Sequence, residues 1–508
     1  MGAKIIKYFK QLSITRKVIL ILITILVIAY IFCLPRQLFH VPYSTVVTDR
    51  NGELLGARIA SDGQWRFPPR TTTPEKVKQC LITFEDRHFY HHWGVNPVST
   101  GRAAYQNLKN KRIVSGGSTL TMQTIRLARN ESRTFGEKFI EMILATRLEF
   151  RASKEKILSM YVSHAPFGGN VVGLDAAAWR YFGHSAEELS WAEAAMLAVL
   201  PNAPAMIHLS KSRQSLLNRL LKQLRERKII DSSTYELAIS EPLPDEPHSL
   251  PQIAPHLVSR FYQERNGKYS VSTIDRGIQS QIENAAERWS NEFNRSDIRN
   301  LAILVIDIRT NQVVAYCGNV NFERKQSGNQ VDVIQAPRST GSILKPFLYY
   351  AMLQEGSLLP HTLLPDIPIN INGFTPQNFS LQFEGAVPAS EALARSLNIP
   401  AVTMLQKYGV PKFHTFLRQI GLKTINRPAS HYGLSLILGG AEATLWDVTN
   451  TYAHMGRSLL QLPQTECSLL LSDTEDSENS EAVTSAKTTD VFQPGAVWQT
   501  FNALTEVN

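Results

Sequence analysis

The sequence contains little cysteine and only one long apolar run, and both facts limit what the protein can be. Four cysteines occur in 508 residues and none lies in a C-x-x-C pair, so neither a zinc knot nor a disulfide framework is indicated. We therefore expect isolated thiols. The 28 glycines and 26 prolines are dispersed rather than periodic, which excludes a collagen-like or low-complexity chain. The length predicts a globular protein of two or three domains.

The one long uncharged run lies near the N-terminus, at residues 18–34. As a helix it spans about 26 Å, close to the ~30 Å hydrocarbon core of a bilayer. No small-x-small cleavage site follows it, whereas residues 1–17 contain five Lys or Arg and no acid. By the positive-inside rule we predict a single uncleaved transmembrane anchor, with residues 1–17 in the cytoplasm and the rest of the chain outside it.

The apolar pattern changes at a proline-rich stretch, residues 241–256, which we interpret as a linker. Residues 44–240 show three-to-four-residue apolar spacing, which predicts a mainly α-helical domain. Within it Thr73, Ser153 and Ser185, each followed by Glu, have the pattern of helix N-caps. After the linker, the β-type runs LAILVIDI and QVVAYCG predict a hairpin, and the helical patterns that follow predict an α/β domain over residues 257–508.

The stretch FEDRHFYHHWG, residues 84–94, permits two kinds of site. His88 and His92 have the four-residue spacing of two metal ligands on one helical face, although no H-E-x-x-H motif or third ligand completes a zinc hydrolase. Glu85 and Asp86 equally suit a general base and its supporting group. The net charge of +9 favours anionic partners without choosing among phosphate, acidic lipid and nucleic acid.

A Gly-Gly loop and two predicted helices supply groups suited to a phosphate. GGSTLTMQTIRL enters a helix through Ser118, where backbone N–H groups and hydroxyls favour an anionic oxygen. Gln123 and Arg126 lie three residues apart on one helical face, and a later helix carries Lys138 and Glu141. Two carboxylates with several cations suit a glycosyl transfer from a pyrophosphate donor. From spacing alone, ordinary surface acids on amphipathic helices remain the alternative.

The α/β domain contains a second candidate site. In RSTGSILKPF, Ser342-x-x-Lys345 is expected to bring a lysine amine beside a serine hydroxyl at a helix start, where a desolvated lysine can act as a base. This spacing is common by chance, but here SLN, Ser396 to Asn398, follows about fifty residues later.

These motifs, taken in order, resemble those of the class A penicillin-binding proteins. EDRHFYHHWG, GGSTLTMQ and EKFIE are similar to the first three motifs of that family's peptidoglycan glycosyltransferase domain. ILSMYVSHAPFGG and AAAWRYFGHSAEELSWAEAAMLAVLPNAP are similar to the fourth and fifth. GSILKPF, ARSLNIPAV and YGLSLILGGAEATLWDV are similar to its transpeptidase domain. Residues 44–68 and HAPFGG resemble the 1C group in particular.

The resemblance implies a multi-domain architecture: a transmembrane helix, a mainly α lysozyme-like glycosyltransferase domain and an α/β, β-lactamase-like transpeptidase domain. It implies polymerisation of lipid II at the bacterial cytoplasmic (inner) membrane, with the catalytic domains on the periplasmic side. The implied partners are lipid II, the growing glycan strand, membrane lipid, and stem peptides and β-lactams at Ser342, but no nucleic acid. No cofactor and no protein metal site is implied, although a divalent Mg or Mn ion is an option for the glycosyltransferase.

For the glycosyltransferase, the resemblance implies Glu85 as general base on the sugar 4-hydroxyl and Glu141 as a second essential acid near the pyrophosphate. It also implies a set of substrate-site residues that line the phosphate sites: Arg102, Ser118, Gln123, Arg126 and Lys138. A further set in the same region supports the Glu85 loop: Asp86, Phe89 and His92.

For the transpeptidase, the resemblance implies Ser342 as the acylated nucleophile and Lys345 as its base. Ser396 and Asn398 would be the proton shuttle and the contact to the substrate amide. The family's K-T-G element is missing after SLN, and AKTTD at residues 486–490 lies in an acidic, Ser/Thr-rich insertion. We therefore expect a transpeptidase domain that is incomplete at its C-terminal end and has little cross-linking activity.

Two departures from the motifs motivate another hypothesis. Glu137 stands where the third motif has Arg, and Ser163 where the fourth has Asn. With the missing K-T-G, they suggest as the alternative a non-catalytic cell-wall scaffold that binds lipid II without turnover.

Overall fold

The computed structural model describes residues 13–110, 116–132, 134–202, 208, 210–322, 328–471 and 491–507. The chain forms two compact units. Unit one comprises Met1–Val46, Ala57–Pro251 and Tyr262–Tyr269, and unit two comprises Val47–Gly56, Gln252–Phe261 and Ser270–Asn508. AKTTD and most of the acidic insertion that contains it lie outside the described residues.

The long apolar run forms helix α1 (Ile14–Phe32), as predicted. Within the described ranges it is the one helix that is long and apolar enough to cross a membrane. Ser13 begins it, its side chain accepting a hydrogen bond from the backbone N–H of Arg16. None of its residues is buried, and a helix that is apolar on all sides without burial in protein is suited to lipid.

Unit one is mainly helical, as the apolar spacing predicts. Its further helices are α2 (Glu75–Glu85), α3 (Pro97–Asn110), α4 (Leu120–Arg129), α5 (Phe135–Glu149), α6 (Lys154–His164), α7 (Leu174–Tyr181), α8 (Trp191–Val199), α9 (Ser210–Glu226) and α10 (Ser232–Ser240). The first strands of the chain are β1 (Thr45–Thr48), β2 (Leu54–Arg58), β3 (Trp65–Arg66), β4 (Pro166–Gly168), β5 (Val171–Val172) and β6 (Tyr269–Val271). They form two small sheets, in the orders β2-β1-β6 and β3-β5-β4.

Helix α8 is a central element of unit one, because seven of its nine residues are buried. Ser190 begins it through a capping box: Glu193 N–H donates to the Ser190 hydroxyl, and Ser190 N–H donates to the Glu193 carboxylate. The predicted caps at Thr73 and Ser185 are both wrong. Helix α2 begins after Pro74 without a side-chain cap, and Ser185 and Glu188 close only a turn. Helix α2 packs against α8, so Glu85, at the end of α2, is held by a buried helix.

Helix α4 packs against both α5 and α6, so side chains from all three helices can meet. Each of the three begins after a hydroxyl cap. Thr119 accepts from Met122 N–H, Thr134 from Glu137 N–H, and Ser153 from Lys156 N–H. The prediction of a cap at Ser153 is therefore confirmed.

Unit two is a mixed α/β unit, also as predicted. The remaining helices in the described part of the chain are α11 (Pro255–Glu264), α12 (Arg276–Phe293), α13 (Lys345–Gln354), α14 (Ala389–Ala394), α15 (Asn398–Tyr408), α16 (Val410–Gln419), α17 (Ala429–Tyr432), α18 (Leu445–Leu459) and α19 (Pro494–Leu504). The remaining strands are β7 (Ile303–Asp307), β8 (Gln312–Cys317), β9 (Arg338–Ser339), β10 (Leu363–Asp366), β11 (Gly385–Pro388) and β12 (Glu442–Ala443).

Strands β7 and β8 form the predicted antiparallel hairpin, with Ile303 opposite Cys317 and Asp307 opposite Gln312. Strand β9 pairs with β12, and β10 with β11. Helix α13 lies in the core of the unit, with eight of its ten residues buried. A short turn therefore joins β9, which pairs with β12, to the buried helix α13.

All four cysteines are free thiols, as predicted. Cys80 and Cys317 are buried, whereas Cys33 and Cys467 are partly exposed. Burial raises the pKa of the Cys80 and Cys317 thiols well above the usual value, so both stay protonated at neutral pH.

Candidate active sites

Glu85 is the last residue of α2, and the chain turns sharply after it. Asp86 leaves the helix with φ −152°, and a 3₁₀ turn follows at Phe89–His91. Gly94, with φ +87°, lies at the end of the loop. A Cβ atom at this position would lie 2.5 Å from the Ala145 carbonyl oxygen, so only glycine fits at position 94.

Asp86 and His92 fasten this loop to α4. His92 Nε2 donates to Asp86 Oδ2 at 2.9 Å, and the Leu120 backbone N–H donates to the same oxygen at 3.1 Å. Gly94 N–H donates to His92 Nδ1 at 3.2 Å, so the hydrogen bonds require the His92 proton on Nε2. Phe89 is fully buried and packs edge-on against His92. These contacts hold the loop, and with it Glu85, against the first turn of α4.

The Glu85 carboxylate has one oxygen engaged and one unengaged. Gln123 Nε2 donates to Glu85 Oε2 at 2.9 Å. Oε1 is buried and has no hydrogen-bond partner among the described residues. Burial raises the pKa of Glu85 to about 7, the Gln123 hydrogen bond acts in the opposite direction, and the charge of Asp86 adds to the rise. Near neutral pH, Oε1 is therefore an oxygen that can take up a proton.

The second predicted acid, Glu141, lies in a cluster with two cations. Arg126 Nε donates to Glu141 Oε1 at 2.6 Å, and Arg126 Nη2 donates to Oε2 at 2.8 Å. Arg126 Nη2 and Lys138 Nζ both donate to Ser118 Oγ, at 3.2 and 2.5 Å. Glu141 is only 3% exposed, whereas both cations are partly exposed. Two cations against one carboxylate leave the cluster with a net positive charge beside the Gly-Gly loop.

A cavity of about 730 Å³ lies beside Glu85. Arg102 and Ser118, both predicted from the sequence, are among its lining residues. Arg87 and Arg219 also line it, and the sequence analysis missed both. Arg87 lies inside the first motif, which was a signal for it. Arg219 is one of several basic residues on the amphipathic helix α9, and no local pattern distinguishes it from its neighbours.

The histidine pair that motivates a zinc hydrolase does not share a helical face. Helix α2 ends at Glu85, and His88 precedes a 3₁₀ turn. His88 is exposed, whereas His92 is buried and donates to Asp86. Within the described ranges, no group of three or more His, Cys, Asp or Glu side chains could hold a metal ion.

The two departures from the motifs have partners within unit one. Glu137 accepts hydrogen bonds from the Arg129 guanidinium, which lowers the pKa of its carboxyl group. Ser163 Oγ donates to the Ser159 carbonyl oxygen at 2.8 Å and accepts from the Arg70 backbone N–H at 3.2 Å. The acid at position 137 is therefore ion-paired, and the serine at position 163 links two backbone segments.

In unit two, Lys345 is the centre of the second candidate site. Its Nζ donates to the Ser396 carbonyl oxygen at 2.7 Å, to Ser396 Oγ at 3.1 Å and to Asn398 Oδ1 at 2.7 Å. Lys345 is 2% exposed, and burial lowers the pKa of its amine to about 8. A pKa of about 8 leaves about a tenth of the amine neutral at pH 7, far more than for an ordinary lysine, and this suits a base.

Ser342 lies in the exposed turn before α13, where the Lys345 backbone N–H donates to the Ser342 carbonyl oxygen at 3.1 Å. The sequence predicts a contact between the Lys345 amine and the Ser342 hydroxyl, and this prediction is wrong for the structure described here. Among the described residues no hydrogen bond joins Ser342 Oγ to Lys345 Nζ, because the amine is held by Ser396 and Asn398. Ser396 has φ +52°, an uncommon backbone conformation for serine that places its carbonyl and hydroxyl on the same amine.

Comparison with known proteins matches each unit to a family. Residues 52–228 match the model described as transglycosylase, and residues 301–462 match the penicillin-binding protein transpeptidase domain. Penicillin-binding protein 1C of Escherichia coli (strain K12) is 37% identical over 83% of this chain and 55% of its own length. Penicillin-binding protein 1F of Bacillus subtilis (strain 168) is 29% identical over 78% of this chain and 57% of its own length.

The chain belongs to the class A penicillin-binding proteins, and contains a glycosyltransferase domain followed by a transpeptidase domain. Within the family it is similar to the 1C type, as the resemblance predicts. It spans a little over half the length of these curated relatives. Among solved structures, that of penicillin-binding protein 1A from Haemophilus influenzae has a TM-score of 0.42 and 18% identity, covering 82% of this chain and 68% of that chain.

Proposed function

We propose that this chain polymerises lipid II into glycan strands with release of the lipid pyrophosphate, and that Glu85 is the general base. The observation that carries the proposal is the Glu85 carboxylate: one oxygen is buried without a partner, the pKa is about 7, and the residue lines a cavity with arginines in its wall.

In the proposed step, Glu85 Oε1 accepts the proton of the acceptor sugar 4-hydroxyl. The 4-hydroxyl oxygen at the same time attacks the anomeric carbon of the donor. The bond from the anomeric carbon to the pyrophosphate breaks, and the electron pair leaves with the pyrophosphate. A base with a pKa near the working pH combines a sufficient ionised fraction with sufficient basicity. Burial supports this role, because it raises the pKa of Glu85 from its usual value to about 7.

The positive cluster around Glu141 is proposed to stabilise the departing pyrophosphate. Arg126 and Lys138 contribute two cations, and Ser118 bonds to both of them while it also lines the cavity. Fixed cations placed where negative charge develops stabilise a transition state without reorganisation. Glu141 keeps Arg126 in position through two hydrogen bonds, so we assign it the role of holding this cation.

The anchor helix α1 is proposed to hold the active site at the bacterial cytoplasmic membrane, with residues 1–17 in the cytoplasm. The basic residues of that segment support this orientation. The substrates and partners proposed are lipid II, the growing strand and membrane lipid for unit one, and stem peptides and β-lactams for unit two. We propose no nucleic-acid partner.

The proposed transfer assigns no step to a bound metal, because Arg126 and Lys138 supply the cations near the leaving group. The part of the chain that the structure describes offers no cluster of ligands for a dedicated metal site. A titration of the polymerisation rate with Mg²⁺ and Mn²⁺ measures whether a divalent cation on the pyrophosphate contributes.

The function is tested by incubating the purified full chain in detergent with lipid II and separating the products by size. We expect glycan strands and free lipid pyrophosphate. Binding of lipid II without product would contradict catalysis and favour the alternative, a non-catalytic scaffold that binds lipid II.

Polymerisation is expected to depend on pH through Glu85. The base must be ionised, so kcat/KM is expected to rise with pH through about 7 and to fall about tenfold for each pH unit below that. Initial rates measured between about pH 5 and pH 9 with lipid II check this. A profile that stays level down to about pH 5 would rule out a base with this pKa.

We also propose that Ser342 is the residue of unit two that is acylated by stem peptides and β-lactams, with Lys345 as its base. Because Lys345 Nζ lies 3.1 Å from Ser396 Oγ, we propose that the Ser342 proton reaches the neutral form of this amine through the Ser396 hydroxyl.

Acylation is expected to require Ser342 and Lys345. Labelling with a fluorescent penicillin should disappear in Ser342→Ala, and it should slow by about a hundredfold or more in Lys345→Met, since the base is lost. Ser357→Ala, at the other end of α13, is the matched control and should label like the unchanged chain. Labelling that survives in Ser342→Ala would assign the nucleophile to another residue.

A further inference from the structure

We propose that Tyr161 is a positioning residue for the glycosyl transfer, whose hydroxyl fixes the side-chain amide of Gln123 in the orientation that donates to Glu85. The inference rests on the proposed role of Glu85 as the base. Tyr161 lies in the fourth motif segment, and nothing in the sequence analysis assigns it a role.

The geometry is a chain of two hydrogen bonds across three helices. Tyr161, on α6, donates its hydroxyl proton to Gln123 Oε1 at 3.3 Å. Gln123, on α4, donates from Nε2 to Glu85 Oε2 at 2.9 Å. A glutamine amide has an acceptor at one end and a donor at the other, so a donor on its oxygen side determines which end faces the carboxylate.

Tyr161 can act only as a neutral donor. It is 2% exposed, and burial together with the nearby charge of Glu85 raises the pKa of its hydroxyl well above the usual value. The hydroxyl therefore keeps its proton over the whole pH range in which Glu85 titrates. Its effect on the reaction must be exerted through Gln123.

The orientation of the Gln123 amide matters because its N–H donor lowers the pKa of Glu85, whereas burial and Asp86 raise it. Burial and the charge of Asp86 favour the protonated carboxyl, whereas the Gln123 N–H donor favours the ionised form. The other charged or titratable groups near the carboxylate are Arg126, close to Tyr161, and six residues of the cavity wall: Arg87, His88, His91, His92, Arg102 and Arg219. Among the described residues, Gln123 is the group that donates a hydrogen bond to Oε2, at 2.9 Å.

Without the Tyr161 hydroxyl, the amide can rotate and present its oxygen to Glu85 Oε2. That arrangement favours a protonated carboxyl as donor and disfavours the ionised base. In Tyr161→Phe we expect the acid limb of the kcat/KM profile for lipid II to move up by about 0.5–1 pH unit. At pH 7 the rate should drop about two- to fivefold, with KM for lipid II changed less than kcat.

The experiment compares pH profiles of the full chain in five forms: unchanged, Tyr161→Phe, Gln123→Met, the double variant, and Tyr181→Phe. Tyr181 is the matched control, because it is also a buried tyrosine of unit one whose hydroxyl donates, at 2.9 Å, but to the Phe167 carbonyl oxygen. Gln123→Met removes the donor itself, so adding Tyr161→Phe to it should cause no further shift. Tyr181→Phe should leave the acid limb in place.

Two outcomes would overturn the inference: an acid limb in Tyr161→Phe that does not move, or a shift that adds fully to that of Gln123→Met. Glu85→Gln, assayed in parallel, separates this failure from failure of the proposed function, since an active Glu85→Gln contradicts the base itself. If Tyr161→Phe does not fold, 3-fluorotyrosine at position 161 replaces it. The fluorinated hydroxyl is a stronger donor and should move the acid limb to lower pH, whereas an unchanged limb would count against the inference.

Discussion

Replacing Glu85 with glutamine is expected to reduce lipid II polymerisation by about 10²- to 10⁴-fold, the contribution typical of a positioned general base. Glutamine has nearly the same size, so the loop that Asp86 and His92 fasten to α4 should stay in place. What is lost is an oxygen that can accept a proton near neutral pH, which in the unchanged chain is the buried Glu85 Oε1. The measurement is kcat/KM with purified lipid II at neutral pH.

Glu75→Gln is the matched control for this prediction. Glu75 lies in the first turn of the same helix, α2, is exposed, and bonds to Gln79. Its replacement should leave the rate within about twofold, because surface substitutions rarely alter a distant site. Lipid II binding should persist in Glu85→Gln. A full rate in that variant would refute the assignment of the base.

Replacing Arg126 with methionine is expected to destabilise unit one by about 3 kcal/mol and to slow polymerisation by at least about a hundredfold. Arg126 makes both short hydrogen bonds to the buried Glu141, and after its loss Lys138, at 3.5 Å, is the one cation among the described residues that still bonds to that carboxylate. Breaking a buried ion pair leaves an uncompensated charge, and the 24% exposure of the Arg126 side chain puts the cost at the lower end of the usual range.

The conservative control is Arg126→Lys. It keeps the charge beside Glu141 but loses the two-pronged contact, so we expect about 1 kcal/mol of destabilisation and a rate within about tenfold. Denaturant unfolding of the full chain and the lipid II assay give the two readouts. If Arg126→Met and Arg126→Lys lowered the stability and the polymerisation rate equally, the positive charge at position 126 would not be the cause of either effect.

The two candidate bases are tuned by the same physical cause. Burial disfavours the charged form, which raises the pKa of the carboxyl in Glu85 and lowers that of the amine in Lys345. Both values move toward neutrality, to about 7 and about 8. In each case hydrogen bonds from a neighbouring segment hold the group: Gln123 for the acid, and Ser396 with Asn398 for the amine.

Much of the local structure could be predicted from residue patterns alone. Helix α1, the hairpin of β7 and β8, and the cap at Ser153 follow from interactions within a few residues of one another. Ser185 and Ser190 show the limit of such reasoning, because both precede a glutamate three residues later. Helix α8 begins only after Ser190, where the apolar residues that follow are buried on all sides.

The sequence by itself determined the order of the domains and the apolar N-terminal helix, and it predicted the candidate residues of each motif. Only the tertiary structure decided how those residues are paired. Glu85 binds Gln123, thirty-eight positions away, rather than a neighbour within its own motif. Lys345 binds the Ser396 segment rather than the Ser342 hydroxyl. Hydrogen bonds and desolvation depend on which surfaces pack together, and these terms, which set the pKa of each base, appear only when distant helices meet.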